Sequence, residues 1–138
     1  MRVLFDQGTP VPLRRLLTSH EVTTAHERGW SQLKNGELLD SAEKEGFAVL
    51  VTTDANLKFQ QNLAWRRLAI VVLTTTSWPR IQRVASAVVA AVDGAAPGTY
   101  VEVEVPCEEE AMKRLPMKPL LVSVLATAFA IPMTYVSS

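Results

Sequence analysis

The sequence predicts an α/β fold in which a mostly parallel sheet of about five strands is covered by helices on both faces. Short apolar runs recur along the chain, and two of them are apolar throughout, as expected of strands buried on both faces. Segments with apolar residues at helical spacing lie between these runs. The elements therefore alternate as β-α-β-α-β-α-β-α-β, which favours right-handed crossovers and a parallel sheet.

Five segments have the composition of strands. Residues 47–53 and 68–73 are apolar on both faces, so we expect them in the centre of the sheet. Residues 2–5 form a short apolar run before an acid, and residues 21–25 are the second strand. Residues 99–105 alternate valine with polar side chains, which predicts an edge strand with one exposed face.

The helices are predicted from their starts and ends. Thr9 precedes a proline and is expected to cap the first helix. Asn35 is expected to cap a second helix that ends at Gly46. Ser77 begins a third helix, which has an apolar face that includes Val84 and Val88.

Length and composition exclude several classes of protein. The chain has 138 residues, 48% of them hydrophobic and 20% charged, which suits one folded domain rather than a disordered protein. Equal numbers of basic and acidic residues, 14 each, argue against a uniformly basic nucleic-acid binder. The single Cys107 excludes an internal disulfide and a multi-cysteine metal site. The N-terminus does not resemble a signal peptide, so we expect a cytoplasmic protein.

The composition changes after Pro106. We therefore expect a domain over residues 1–106 and a hydrophobic C-terminal tail over residues 107–138. Residues 119–136 carry no charge, a length at the lower edge of a membrane span. Prolines and hydroxyl side chains in this segment favour a docked tail over a span, although a membrane role is left open.

Acidic residues at the ends of predicted elements are the main candidates for chemistry. Asp6 follows the first strand, Asp54 follows the central strand, and Glu37 lies in the first turn of a helix. Ligands bind beyond the carboxyl ends of strands in open parallel sheets. Carboxylates gathered without cysteines favour Mg2+ or Mn2+. Asp40, Asn56 and Asn62 are candidate supporting ligands.

The same acids also have purely structural interpretations. An Asp after a strand is often a turn former, and a Glu near a helix start often interacts only with the helix dipole. The occurrence of two Asp residues at strand ends of one sheet is what favours a functional site.

Two stretches resemble a known family. Asn35-Gly36-Glu37-Leu38-Leu39, followed by residues 50–57 (LVTTDANL), is similar to the small stand-alone PIN-like proteins of bacterial toxin–antitoxin loci. The resemblance covers roughly residues 1–106. It implies a PIN-like three-layer α/β/α fold and a metal-dependent ribonuclease site. It also implies that Asp6, Glu37 and Asp54 are the catalytic, metal-binding acids, with Asn56 beside them.

The resemblance further implies an endoribonuclease toxin that uses Mg2+ or Mn2+, with RNA as substrate and an antitoxin protein as partner. One departure is clear, because sites of this family commonly have four acids and Asn56 stands where a further acid is expected. The alternative is therefore a catalytically weak or inactive PIN-like binding module. A phospho-receiver-like domain is a third hypothesis. Receiver domains have an acid pair after strand one and a lysine after strand five, and neither is found here.

Basic residues are the candidates for contact with RNA. Arg14 and Arg15 lie on the helix that follows Asp6, and Arg66 and Arg67 precede the fourth strand. The apolar Val84/Val88 face predicts a homodimer interface.

Overall fold

The computed structural model describes residues 1–60, 63 and 65–107 of the chain. Five strands form one sheet in the order β2-β1-β3-β4-β5, and every neighbouring pair is parallel. The strands are β1 (Arg2–Phe5), β2 (Glu21–Thr24), β3 (Val49–Thr52), β4 (Ala69–Leu73) and β5 (Tyr100–Val103). The predicted α/β fold is confirmed, and the sheet is wholly parallel.

Helical segments connect the strands. A 3₁₀ helix (Val11–Leu16) lies between β1 and β2, α1 (Asn35–Lys44) between β2 and β3, and α2 (Leu57–Gln60) between β3 and β4. Two helices, α3 (Trp78–Arg83) and α4 (Ala85–Asp93), lie between β4 and β5. The helix predicted from Ser77 is therefore interrupted at Val84.

Both faces of the sheet are covered, which gives three layers. On one face the 3₁₀ helix, α3 and α4 bury Leu13, Ile81 and Val88 against side chains such as Val51 and Val71. On the other face α1 packs Leu39 and other side chains against the strands. β3 and β4 are buried at every position, as their uninterrupted apolar sequences predicted.

Two predicted helix caps are wrong. Thr9 does not cap the 3₁₀ helix, whose N-cap is Pro10, and its hydroxyl instead donates to the Val51 carbonyl at 2.8 Å. Asn35 is the first residue of α1 rather than its cap. Ser77 does cap α3, because its Oγ accepts a hydrogen bond from the Arg80 N–H. Tertiary partners outcompete the local capping bond at the first two positions.

The dimer face predicted from Val84 and Val88 is also corrected. Val88 is 0% exposed and belongs to the core of the sheet. An interface that depends on this side chain is therefore excluded for the folded protein. The formation of a homodimer itself stays a prediction.

Residues Met1–Val105 form one compact unit. The tail predicted over residues 107–138 lies outside the described residues except for Cys107. Within the described part of the chain, no helix combines the length and apolar character needed to cross a bilayer.

Candidate functional site

The strand order places a topological switch between β1 and β3. The chain moves from β1 to β2 on one side, and β3 then pairs with the other side of β1. In doubly wound sheets, ligands bind in the crevice outside the carboxyl ends of the strands at such a switch. Asp6 directly follows β1, and Asp54 lies two residues after β3. Both predicted Asp residues therefore lie at this crevice.

Asp6 is held by hydrogen bonds from three sides. Its Oδ1 accepts from the Gly8 N–H at 3.0 Å and lies 3.4 Å from the Thr9 hydroxyl. Its Oδ2 accepts from the hydroxyl of Thr52. The backbone N–H of Asp6 donates to the Val51 carbonyl at 3.0 Å, which ties the residue to β3. These contacts fix the carboxylate at the end of β1.

Asp54 is fixed in a similar way. Its Oδ2 accepts from the Asn35 side-chain amide at 3.0 Å, and its Oδ1 accepts from the Asn56 N–H at 3.0 Å. Its own N–H donates to Thr52 Oγ1 at 3.1 Å. The hydroxyl of Thr52 therefore accepts a hydrogen bond from Asp54 and donates one to Asp6.

The two carboxylates interact electrostatically. Burial raises the pKa of Asp6 above its ordinary value of 3.8, and the negative charge of Asp54 raises it further. Hydrogen bonds from Thr52 and Gly8, together with the nearby Thr9 hydroxyl, oppose this shift of the Asp6 pKa without reversing it. Asp54 also contributes to the raised pKa of Tyr100, which burial and the neighbouring Glu102 bring to about 12. Negative charge is therefore concentrated at the crevice, which favours a bound cation.

The other predicted acids are used elsewhere. Glu37 is exposed, and its Oε1 accepts the backbone N–H of Lys34 at 3.1 Å, which caps the start of α1. Asp40 forms an ion pair with Arg66 at 2.6 Å. Among the described residues, no group of three or more His, Cys, Asp or Glu side chains is arranged to hold a metal ion. The predicted acids Asp6, Glu37 and Asp54 do not form such a group, and the metal-binding role of Glu37 stays a prediction.

The two predicted amides have different outcomes. Asn56 lies beside Asp54, but the contact is made by its backbone N–H rather than by a side-chain ligand atom. Asn62 lies outside the described residues, so its predicted supporting role stays a prediction.

The predicted basic residues fall into two separate regions. Arg14 lines a cavity together with Asp6, and Arg15 is exposed on the same 3₁₀ helix. Arg66 and Arg67 instead lie at the amino edge of the sheet, where Glu43 accepts hydrogen bonds from the backbone N–H groups of Arg67 and Leu68. Asp6 lies at the carboxyl ends of the strands and the two arginines lie at the amino ends. Arg66 and Arg67 therefore do not share the crevice of Asp6.

Two cavities open on either side of Asp6 and Gln7. One of about 130 Å³ lies toward α1 and is lined by Trp30, Ser31 and Asn35 among others. The other, of about 250 Å³, lies toward the 3₁₀ helix and includes Arg14 and Glu27. A larger cavity of about 320 Å³ lies at the amino edge, beside Glu43 and Arg67. Asp6 thus lines both of the smaller cavities, whereas the cavity of about 320 Å³ lies at the other end of the strands.

Three residues that support the acids were not identified from the sequence. Asn35 was interpreted as a helix cap, Thr9 as another cap, and Thr52 as part of a strand. The role of Thr52 could have been suspected from the sequence, because a hydroxyl at the end of an apolar strand needs a hydrogen-bond partner outside that strand. The role of Asn35 could not, since its partner Asp54 is distant in the sequence.

The donor set fits a hard divalent cation. Carboxylate oxygens are the ligands that Mg2+ and Mn2+ prefer. The hydrogen bonds from described residues leave a lone pair on Asp6 Oδ2 and on each carboxylate oxygen of Asp54. A cation there would also offset the repulsion that raises the pKa of Asp6. Asp6 and Asp54 are therefore the residues that would hold such an ion.

The chain was compared with known proteins in three ways. It matches no protein-family model, no curated protein and no solved structure.

Proposed function

We propose that the protein is an endoribonuclease that depends on Mg2+ or Mn2+ and acts as the toxin of a toxin–antitoxin pair. The observation that carries the metal-dependent chemistry is the coupling of Asp6 and Asp54 through Thr52 at the strand switch. The RNA substrate and the antitoxin partner rest on the resemblance of residues 1–106 to PIN-like toxins. The RNA substrate suits a site in which two cavities open beside Asp6.

Each residue of the site has a distinct role in this proposal. Asp6 and Asp54 bind the cation, which when bound would lower the pKa of a water and stabilise negative charge on the phosphodiester. Thr52 holds Asp6 at one oxygen and leaves the other electron pair of that atom open. Asn35 orients Asp54 from α1. The positions of these groups are fixed before substrate arrives, which lowers the cost of organising the site.

A second candidate is a binding module that holds the cation but does not cleave. It is favoured because, among the described residues, no third acid joins Asp6 and Asp54 in a metal-binding group and Glu37 caps a helix. The two candidates share the metal site and differ in whether RNA is cut.

The test is cleavage of a mixed RNA pool by the full chain with Mg2+ or Mn2+ and with chelator. Asp54→Asn is the critical variant. Asp40→Asn is the matched control, because Asp40 has the same side chain but pairs with Arg66. Circular dichroism must show that both variants are folded.

We expect the wild type and Asp40→Asn to cleave RNA only when the metal is present. We expect Asp54→Asn to abolish this cleavage. Absence of cleavage with either ion, together with Mn2+ binding that Asp54→Asn weakens, would replace the nuclease by the binding module. Absence of both cleavage and metal binding would reject both candidates.

A further inference from the structure

The cavity of about 250 Å³ beside Asp6 contains an arginine that the site described above does not use. It lies between the 3₁₀ helix and the turn that follows β2, and its walls include Thr9, Val11, Arg14 and Glu27. A cavity needs a volume of roughly 10–15 Å³ to hold one water molecule, so this cavity has room for a chemical group of several atoms. The cavity and the carboxylate pair share Asp6, so a ligand in the cavity would be next to the reacting position.

Arg14 is held in this cavity by one ion pair. Its Nη2 donates to Glu27 Oε1 at 2.8 Å, and its side chain is 36% exposed. Its Nε is buried and has no hydrogen-bond partner among the described residues. A guanidinium has five N–H donors in a fixed plane. Most of the donor capacity of Arg14 is therefore not used by Glu27.

Glu27 is anchored independently of Arg14. Its Oε1 accepts the Thr24 N–H at 3.0 Å, and its own N–H donates to Thr24 Oγ1 at 3.0 Å. The hydrogen bond from Thr24, followed by that from Arg14, lowers the pKa of Glu27. Glu27 is therefore ionised at neutral pH and stays in place if Arg14 finds another anion.

We propose that this cavity binds a phosphate group of the substrate next to the one that is cleaved, with Arg14 as its cationic ligand and Glu27 as a competing anion. The inference rests on the proposed function for its substrate. An exposed ion pair contributes little stability. A phosphate can accept two parallel N–H bonds from one guanidinium, which makes the exchange of Glu27 for phosphate favourable.

The arrangement predicts effects of opposite sign at the two partners. Arg14→Gln removes the positive guanidinium group and weakens RNA binding. Glu27→Gln removes the competing charge but retains an oxygen that can accept the Thr24 N–H, so it strengthens RNA binding. A purely structural ion pair would weaken binding in both variants, because both would loosen the same turn.

The experiment measures binding of a short fluorescein-labelled single-stranded oligoribonucleotide to the full chain by anisotropy, in EDTA and over a range of salt. EDTA prevents metal-dependent cleavage. Without a cation the carboxylates of Asp6 and Asp54 repel RNA in every variant alike, so the differences between variants report on Arg14 and Glu27. Arg15→Gln is the matched control, because Arg15 is an exposed arginine on the same helix. Thermal unfolding of each variant is recorded alongside.

We expect Arg14→Gln to raise Kd roughly tenfold, the size expected for a charge-assisted hydrogen bond. The slope of log K against log salt should fall by about 0.7, as for one lost phosphate contact on a single strand. Glu27→Gln should lower Kd severalfold. Arg15→Gln should stay within about twofold of the wild type.

Equal effects of Arg14→Gln and Arg15→Gln would overturn the inference, as would weaker binding in Glu27→Gln or no measurable binding by the wild type. If Arg14→Gln does not fold, the sign of the Glu27→Gln effect decides. The outcome is separable from that of the proposed function. If cleavage needs the metal and is lost in Asp54→Asn, but Arg14→Gln binds RNA normally, only the phosphate-binding inference is rejected. If the expected binding pattern is found but no RNA is cleaved, only the nuclease proposal is rejected.

Discussion

The hydroxyl of Thr52 donates a hydrogen bond to Asp6 across the β1–β3 pair and accepts the backbone N–H of Asp54. One side chain, on a residue that is 1% exposed, thus links the carboxylate of Asp6 to the backbone of Asp54. The parallel register that pairs Phe5 with Val51 brings the residues after them together. The geometry of the acid pair therefore depends on strand pairing and on one buried hydroxyl.

Replacement of Thr52 tests this link. Thr52→Val keeps the shape of the side chain but leaves the Asp54 N–H and Asp6 Oδ2 without a partner. We expect a loss of about 1–3 kcal/mol in the free energy of unfolding, measured by urea denaturation. Thr52→Ser keeps the hydroxyl and should lose less stability and retain metal affinity. Equal effects of the two variants would contradict the assigned role of the hydroxyl.

The raised pKa of Asp6 predicts a pH-dependent stability of the metal-free protein. A carboxyl whose pKa is higher in the folded than in the unfolded state contributes stability when it is protonated. That contribution is complete below the ordinary value of 3.8 and is lost as pH rises through the raised pKa of the folded state. Urea denaturation in chelator over this acidic range, compared between wild type and Asp6→Asn, measures it.

We expect Asp6→Asn to lack this part of the pH dependence and to gain stability relative to the wild type as pH rises. Asp40→Asn is the control, since Asp40 is exposed and pairs with Arg66. Parallel pH profiles for wild type and Asp6→Asn would argue against a raised pKa of Asp6.

Asn35 offers a way to strengthen the metal site. Its amide lies 3.0 Å from Asp54 Oδ2, so Asn35→Asp would place a third carboxylate at that atom. We expect tighter Mn2+ binding by calorimetry and lower stability in chelator, because like charges repel without the cation. Asn56→Asp is the control, since Asn56 contacts Asp54 through its backbone, and it should change Mn2+ affinity less. An unchanged Mn2+ affinity of Asn35→Asp would show that this position does not face the cation.

Glu37 tests whether the site contains two acids or three. Its carboxylate caps α1 through the Lys34 N–H, and Gln can accept the same hydrogen bond. We expect the Kd of Glu37→Gln for Mn2+ to be within about twofold of the wild-type value. The loss of a metal ligand would raise Kd more, since about 1.4 kcal/mol of binding energy corresponds to a tenfold change. A much larger loss of affinity would restore Glu37 to the metal site that the sequence predicted.

Gly8 lies in close contact with the side chain of Thr53, and its backbone conformation is not one that favours glycine. A Cβ at this position would collide with Thr53 Oγ1, and the Gly8 N–H donates to Asp6. We expect Gly8→Ala to cost about 1–3 kcal/mol of unfolding free energy through overpacking. Thr53→Ala removes the colliding atom, so the double variant should recover most of that loss, measured as a coupling energy in a double-mutant cycle. Additive effects would contradict the collision.

Much of the fold could be predicted from local pattern. The apolar segments around Val49–Thr52 and Ala69–Leu73 were recognisable because strands buried on both faces need apolar side chains at every position. The edge strand was predicted in its general pattern, since Val103 and Val105 of the valine face are buried while Glu102 and Glu104 are exposed. Val101, on the same face, is 39% exposed, because a side chain near the start of an edge strand is covered only where other elements pack against it.

The site divides in the same way. The sequence by itself determined that Asp6 and Asp54 follow strands, because the apolar runs end at those residues and parallel strands end at one edge. Only the tertiary structure decided that Glu37 and Asp40 are used elsewhere, that Arg66 and Arg67 lie at the opposite edge, and that Asn35 and Thr52 support the acids. These outcomes depend on strand order and on hydrogen bonds between residues distant in the chain, which local hydrophobic periodicity does not encode.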